Sequence, residues 1–370
     1  MNGVIGQVRQ HERALLVSSG LLLLFGFLYA LTVSPNAAAR MGYDSTFSLA
    51  LRQGGFALIG ALAIAGASFL PATAVRRAGV LLFLGALVLL LVVLFAGHTE
   101  KGAQRWIRMA GFSLQPSELV KPALVIAMAW MLSAGVTQRR FPGVALALGL
   151  YGVTAALLVA QPDYGQTALL GMVLAAMLLT AGAPWRIFAA GAVAAGVGGV
   201  LAYNFSEHFR RRIDLFLDPD DKGGQVTKAL EAMQSGGVLG RGPGEGIVKV
   251  SLPDAHADFV YAAATEEFGW LASLGFIGLY AAIAWFGLRR ASRLVDPFQQ
   301  FAASGLIFLF TLQAAIHVAV NAGAAPAKGL TLPLVSYGGS AMIGSALTIG
   351  LAFALLRERP GAFLHDRTHS

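Results

Sequence analysis

The sequence predicts an all-α, polytopic integral membrane protein with about ten transmembrane helices, and three observations lead there. Of 370 residues, 56% are hydrophobic and 12% charged, against about 45–50% apolar and about 25% charged in a soluble domain. Apolar runs long enough to span a bilayer recur along the chain, and one long, partly polar loop interrupts them. Water is therefore not the main solvent, which excludes a cytosolic enzyme, a nucleic-acid-binding module and a two-domain soluble protein. Cysteine is absent, so disulfides, thiolate metal sites and cysteine nucleophiles are excluded together. In a soluble protein the formal charge of +8 would suggest nucleic acid. Here the anions to be met are membrane lipid head groups and lipid phosphates.

Taken in order, the apolar runs are 14–33, 53–70, 78–97, 116–134, 141–160, 164–182, 187–205, 268–288, 301–320 and 340–356. The first is flanked by Arg9 and Arg13 and followed by Ala37, Ala38 and Ala39, which imitates a signal peptide. Its apolar core is too long for one, and it reads as an uncleaved helix. An even number of spans puts both termini on one side. With the termini cytoplasmic, the inner short loops hold Arg76, Arg77, Arg139, Arg140, Arg186, Arg289, Arg290 and Arg293, and the outer ones hold fewer basic residues; the positive-inside rule favours that orientation. The segment 206–265 is the large extracytoplasmic loop of a single membrane domain covering 1–370. Its Phe209, Leu215, Phe216 and Leu217 make it too apolar for a disordered linker, so it is expected to fold back on the membrane face, with an amphipathic helix over 225–234.

Polar residues near hydrocarbon are costly, so each asks for a reason. Gln115-Pro116-Ser117-Glu118-Leu119-Val120-Lys121 opens the fourth span, and Glu118 and Lys121 share a helix face. They read first as a salt bridge neutralising two charges, and alternatively as the lining of a hydrophilic cavity that orients a polar substrate group. Asp163, in Gln161-Pro162-Asp163, is placed to cap the sixth span. Gln313, His317 and Asn321 form a polar stripe on the ninth, for which interhelical hydrogen bonding is the default explanation. The run Gly236 to Gly246 lacks the Gly-Lys-Ser/Thr ending and the βαβ setting of a nucleotide loop. It reads as a turn, or as amides able to approach a phosphate. No spacing resembles a protein-only metal site.

The motifs become specific together. Gly102-Ala103-Gln104-Arg105-Trp106-Ile107, the Gln115-to-Lys121 segment, Gln161-Pro162-Asp163, Lys249-Val250-Ser251-Leu252-Pro253-Asp254-Ala255-His256-Ala257-Asp258-Phe259 with Glu266-Glu267-Phe268-Gly269, and Lys328-Gly329-Leu330-Thr331-Leu332-Pro333-Leu334-Val335-Ser336-Tyr337-Gly338-Gly339-Ser340 occur in this order. The set resembles the SEDS family, the bacterial shape, elongation, division and sporulation proteins, over nearly the whole chain. The Gly-x-Gly-x-Gly run and the Lys-Gly-Leu-Thr-Leu-Pro segment resemble its cell-division members more than its elongation members. Two departures are Ala257, where the family usually has Thr, and Ala341, where a second Ser often follows. Neither removes an ionisable group, so they bear on substrate fit more than on chemistry.

The resemblance implies a ten-helix fold with its large outer loop between the seventh and eighth spans. It further implies polymerisation of lipid II into glycan strands at the periplasmic face of the bacterial inner membrane. Undecaprenyl diphosphate would leave, and a class B penicillin-binding transpeptidase and other cell-division membrane proteins would be partners. The acceptor hydroxyl needs a base, and the family's essential aspartate maps onto Asp258; the plainer reading of Asp258 is an N-cap. A diphosphate leaves as a stable anion and mainly needs cations beside it, for which Arg105, Lys121, Lys249 and Lys328 are candidates. Substrate binding would extend to Trp106, Gln115, Ser117, Glu118, Gln161, Asp163, His256, Glu267, Ser336, Tyr337, Gly338, Gly339 and Ser340. Glu267 could instead cap or pair at the start of its helix. No cofactor is required; a divalent cation, Mg2+ or Mn2+, bridging carboxylate and diphosphate through oxygen ligands is compatible with the set. The rival readings are a flippase for the same lipid and a non-catalytic division scaffold.

Overall fold

The structure is a computed structural model that describes residues 2–41, 45–100, 103–109, 112–218, 224–327 and 329–357. Its helices are α1 (Asn2–Met41), α2 (Ser48–Ser68), α3 (Ala72–Ala96), α4 (Pro116–Thr137), α5 (Gly143–Ala160), α6 (Tyr164–Thr180), α7 (Trp185–Phe205), α8 (Glu207–Leu217), α9 (Gln225–Gly236), α10 (Val248–Ser251), α11 (Val260–Ala291), α12 (Pro297–Asn321) and α13 (Gly339–Leu356). Among the described residues nine are long and apolar enough to cross a membrane, and α6 is a shorter apolar tenth. These correspond to the ten expected spans. Proline sits at the first turn of α4 and α12, where its missing N–H costs nothing.

The core is built on α4, α12 and α13, most of whose residues are buried. Around them stand α2 and α3, α11 and α1, and α5 and α6. No residue of α7 is buried, and α8 is its chief neighbour. Such an apolar helix is satisfied by lipid rather than by protein.

Two connections between the spans hold more regular structure than the sequence predicts. The connection after α3 is a three-stranded antiparallel sheet of β1 (His98–Glu100), β2 (Ala103–Met109) and β3 (Phe112–Leu114). It pairs Thr99 with Gln104 and Arg108 with Ser113. The large loop contains the expected amphipathic helix, α9, and also α8 and the single turn α10 before the buried start of α11. Helix α11 is broken at Gly269, whose φ of 79° and ψ of 174° are not helical. The glycine run fills the break: Trp270 and Leu271 N–H donate to the carbonyls of Gly237 and Val238, at 3.0 and 3.2 Å, and Arg241 and Gly242 N–H donate to Glu266 and Glu267 at 2.9 and 3.0 Å. The run is therefore a turn that satisfies the backbone groups of an interrupted helix.

Candidate active site

At one end of the bundle, residues 253–259 and 329–339 form two loops laced to each other. Tyr337 N–H donates to the His256 carbonyl at 2.9 Å, and Ser336 Oγ donates to the Ala257 carbonyl at 2.7 Å. The rings of His256 and Tyr337 meet edge to face at 5.5 Å. Gln53 of α2 donates to the carbonyls of Val335 and Ser336 at 3.4 Å. Gly338 opens α13 as its N-cap and Gly339 packs against the Phe56 ring. Ser340 Oγ donates to the Ser113 carbonyl at 3.0 Å and accepts from Gln115 N–H at 3.1 Å, tying α13 to the sheet and to α4.

Asp258 lies in this lattice, half-buried. Its N–H donates to the Asp254 carbonyl at 3.0 Å, and its own carbonyl accepts from Asn321 Nδ2 at 3.3 Å. Asn321 Oδ1 accepts from Ala262 N–H at 2.9 Å, so one buried amide fixes both Asp258 and the first turn of α11. The N-cap of α11 is Phe259, without a side-chain cap; the capping reading of Asp258 does not apply. A Cβ on Gly329 would stand 3.5 Å from Asp258 Oδ2, so the carboxylate lies against the chain next to position 328. Lys328 itself is outside the described residues.

The stripe on α12 continues downward from Asn321. His317 Nδ1 shares a hydrogen with the Leu330 carbonyl at 2.7 Å, and Gln313 Nε2 donates to the Thr331 carbonyl at 2.8 Å. These bonds between helix and loop are the structural role expected of the stripe. At its lower end, Lys121 Nζ donates to Gln313 Oε1 at 2.8 Å and pairs with Glu118 at 2.7 Å. Gln166 Nε2 donates to the other Glu118 oxygen at 3.1 Å. Both charges are buried, and Ser117 is buried beside them. From Asn321 to Gln313 the helix rises about 12 Å, so the pair sits roughly two turns deeper than the Asp258 backbone.

Asp163 caps α6 by accepting from Gln166 N–H at 3.4 Å. Arg105, on β2 next to Trp106, approaches it at 3.7 Å and donates to the carbonyls of Gln161, at 3.1 Å, and of Pro162. The Gln161 side chain donates to the Leu90 carbonyl at 2.8 Å. Lys249, in contrast, is buried and paired with Glu267. Burial pushes its ammonium down to about 8, with Glu266 and Glu245 pulling the other way, so it is largely protonated at neutral pH. Beside it Glu266 accepts the N–H groups of Ile247, Val248 and Lys249 at 2.7–2.8 Å, a buried carboxylate closing the turn of α10.

Two residues of this region escape sequence reasoning: Asn321 as the anchor of Asp258, and Arg212 of α8. Arg212 donates to the Ala327 carbonyl at 3.2 Å. Burial, and then Arg105, lowers its affinity for a proton, while Asp163 and Asp258 oppose the shift. An arginine on the apolar side of an amphipathic helix is a signal for such a residue, but only once the helix is recognised. Among the described residues no three His, Cys, Asp or Glu side chains stand together as a metal site. The arrangement sets a half-buried carboxylate, Asp258, within electrostatic reach of Arg212, which in turn neighbours Arg105 and Asp163.

The sequence matches the family described as cell cycle protein, that of FtsW, RodA and SpoVE, over residues 13–360. It is 44% identical over 355 residues to a Caulobacter vibrioides protein named "Probable peptidoglycan glycosyltransferase FtsW", spanning 95% of this chain and 90% of that one. A chain in a structure described as a peptidoglycan synthase complex that coordinates polymerization and crosslinking superposes with a TM-score of 0.74 at 26% identity, over 96% of this chain and 98% of that chain. The Thermus thermophilus rod shape determining protein RodA superposes with a TM-score of 0.67 at 25% identity, over 93% and 96%. The match along nearly the full length, with the same helical architecture, places this chain in the cell cycle protein family of FtsW, RodA and SpoVE, the SEDS family that its motifs resemble.

Proposed function

We propose that this chain is a peptidoglycan glycosyltransferase that polymerises lipid II at the outer face of the bacterial cytoplasmic membrane during septal wall synthesis. The observation that carries the mechanism is Asp258, a half-buried carboxylate at the outer mouth whose backbone is held by Asn321. The acceptor sugar's 4-hydroxyl attacks the anomeric carbon of the donor as Asp258 takes the hydroxyl proton. The bond from that carbon to the diphosphate breaks, and undecaprenyl diphosphate departs with the electron pair. Arg105 stands at the same mouth to meet that charge. Glu118 and Lys121, two turns deeper, shape the floor of the site. The named relative supports the activity, and the likeness to a chain of a synthase complex supports a class B penicillin-binding transpeptidase as partner, with other division membrane proteins beside it. Both termini are cytoplasmic on this reading and the site is periplasmic.

A flippase is favoured by the buried polar residues of the bundle and by the broken helix α11, because transporters place substrate on discontinuous helices. The break in α11 is filled by protein: a Cβ on Gly269 would stand 2.3 Å from the Val238 carbonyl oxygen. The enzyme reading is therefore preferred. The test is polymer formation from purified lipid II with the transpeptidase partner present. Asp258→Asn should fold and insert yet lose about 10²–10⁴-fold in rate, the usual worth of general-base assistance. Asp258→Glu should also be poor, because its carboxylate is displaced. A scaffold would be indifferent to both changes, and near wild-type polymerisation by folded Asp258→Asn would remove Asp258 from the mechanism.

A further inference from the structure

Helix α8 carries three consecutive arginines, Arg210, Arg211 and Arg212. The first two are exposed, whereas Arg212 is half-buried on the same side as Phe209. Phe209 packs edge to face on Tyr164 at 4.9 Å, next to Asp163. One turn further, Arg212 reaches the Ala327 carbonyl, two residues before Gly329 and the Asp258 carboxylate. Helix α8 therefore bridges the start of α6, where Arg105 is anchored, and the segment that flanks Asp258. Arg212 stands between the two.

A half-buried guanidinium needs a partner, since burial works against its charge. The bond to Ala327 uses one of its five N–H donors. The charges that face it from neighbouring elements are Asp163 and Asp258 on one account and Arg105 on the other. Arg105 already has Asp163 at 3.7 Å. With Arg105 matched by Asp163, Arg212 faces only Asp258, whose charge is cancelled whenever that carboxylate holds a proton. A diphosphate supplies that charge with planar, bidentate geometry suited to arginine.

We infer that Arg212 contacts the diphosphate of the lipid-linked donor, opposite Arg105, and stabilises it as the leaving group. The inference rests on the glycosyltransferase reading. In the step, the bond between the donor's anomeric carbon and a diphosphate oxygen breaks, and the pair of electrons stays on that oxygen. The new glycosidic bond forms from the acceptor oxygen, whose proton goes to Asp258. Arg212 transfers no proton; it neutralises the charge that develops on the diphosphate.

The experiment compares wild type, Arg212→Gln and Arg212→Lys, each purified as the full chain with its transpeptidase partner. Lipid II polymerisation is measured together with its inhibition by added undecaprenyl diphosphate. Arg212→Gln should polymerise about ten- to a hundredfold more slowly, the range of a charge-assisted hydrogen bond. Its inhibition constant for undecaprenyl diphosphate should rise by a similar factor. Arg212→Lys, which keeps the charge, should recover part of both. If Arg212 only held the 327–330 segment in place, the rate would fall with the inhibition constant unchanged, and the inference would be overturned. A folded Arg212→Gln protein within twofold of wild type in rate would overturn it as well. Should Arg212→Gln fail to fold, the inhibition constant of the Lys variant decides, since loss of the bidentate fork alone should weaken product binding. Retained activity in Asp258→Asn would instead defeat the underlying reading, so the two failures are distinguishable.

Discussion

Glu118 and Lys121 lie 2.7 Å apart with both side chains buried, and neither is left to the other alone. Gln166 serves the carboxylate and Gln313 the ammonium, so the unit is a four-residue network linking α4, α6 and α12. Removing one charge strands its partner where solvent cannot reach, at a cost of about 3–5 kcal/mol. Glu118→Ala and Lys121→Ala should each lower folded yield or activity, and the double change should cost less than the two singles summed. Strict additivity in that double-mutant cycle would show that the two side chains do not interact. This pair was legible in the sequence because an i, i+3 spacing fixes proximity on a helix. Lys249 was not legible in the same way. Its neighbours in sequence suggest an outward cation, whereas its pairing with Glu267 depends on how a loop folds back on a helix 18 residues away, which no local pattern encodes.

At the scale of elements, the break in α11 and the glycine run work as one unit. Gly269 takes a positive φ of 79°, and Gly240 approaches so closely that a Cβ there would stand 2.2 Å from the Glu267 carbonyl oxygen. Glu266 and Glu267 sit just before the break, so the positions of Lys249 and α10 depend on it. Gly269→Ala would force alanine into a positive-φ, extended backbone conformation that is essentially reserved for glycine, at about 1–3 kcal/mol, and would also bring a backbone clash. It should reduce thermal stability markedly in a detergent melting assay. Gly275→Ala, on the same helix where a Cβ meets nothing within 4 Å, should leave stability nearly unchanged. Equal effects from the two changes would contradict the docking of the run onto the break. Hydropathy found the span beginning at 268 but missed that the helix starts at 260 and breaks, because the first turns carry Thr265, Glu266 and Glu267 and look like loop. Helix α8 was missed for a related reason: its charges hide a 3.6-residue apolar stripe. The sheet of β1 to β3 escapes a sequence reading because β1 and β3 are three residues each and carry too little pattern to mark partners for β2.

For the whole molecule, the span count was readable because hydrocarbon imposes a length on every crossing, and the order of the bundle was not, because apolar helices offer few distinguishing contacts. What organises the bundle is polar. Arg105 ties the sheet to the turn between α5 and α6, Ser340 ties it to the start of α13, Arg212 ties α8 to Ala327, and Ser336 ties the 329–339 loop to the 253–259 loop, which gathers them at a single end of the molecule. The turns after α2, α4, α6 and α11 lie at the opposite ends of those helices, and in them or in the adjoining helix ends stand Arg76 and Arg77, Arg139 and Arg140, Arg186, and Arg289, Arg290 and Arg293. The charge asymmetry between the two ends is what the positive-inside rule converts into the proposed orientation, in which Asp258 and Arg212 face outward. The absence of native cysteine makes this directly testable with single replacements in intact cells. A cysteine replacing Gly224, at the start of α9 in the large loop, should react with an impermeant maleimide added outside. One replacing the exposed Ser292, in the turn after α11, should react only after permeabilisation. The opposite labelling pattern would invert the molecule in the membrane, and a periplasmic glycosyl transfer could then not take place at Asp258.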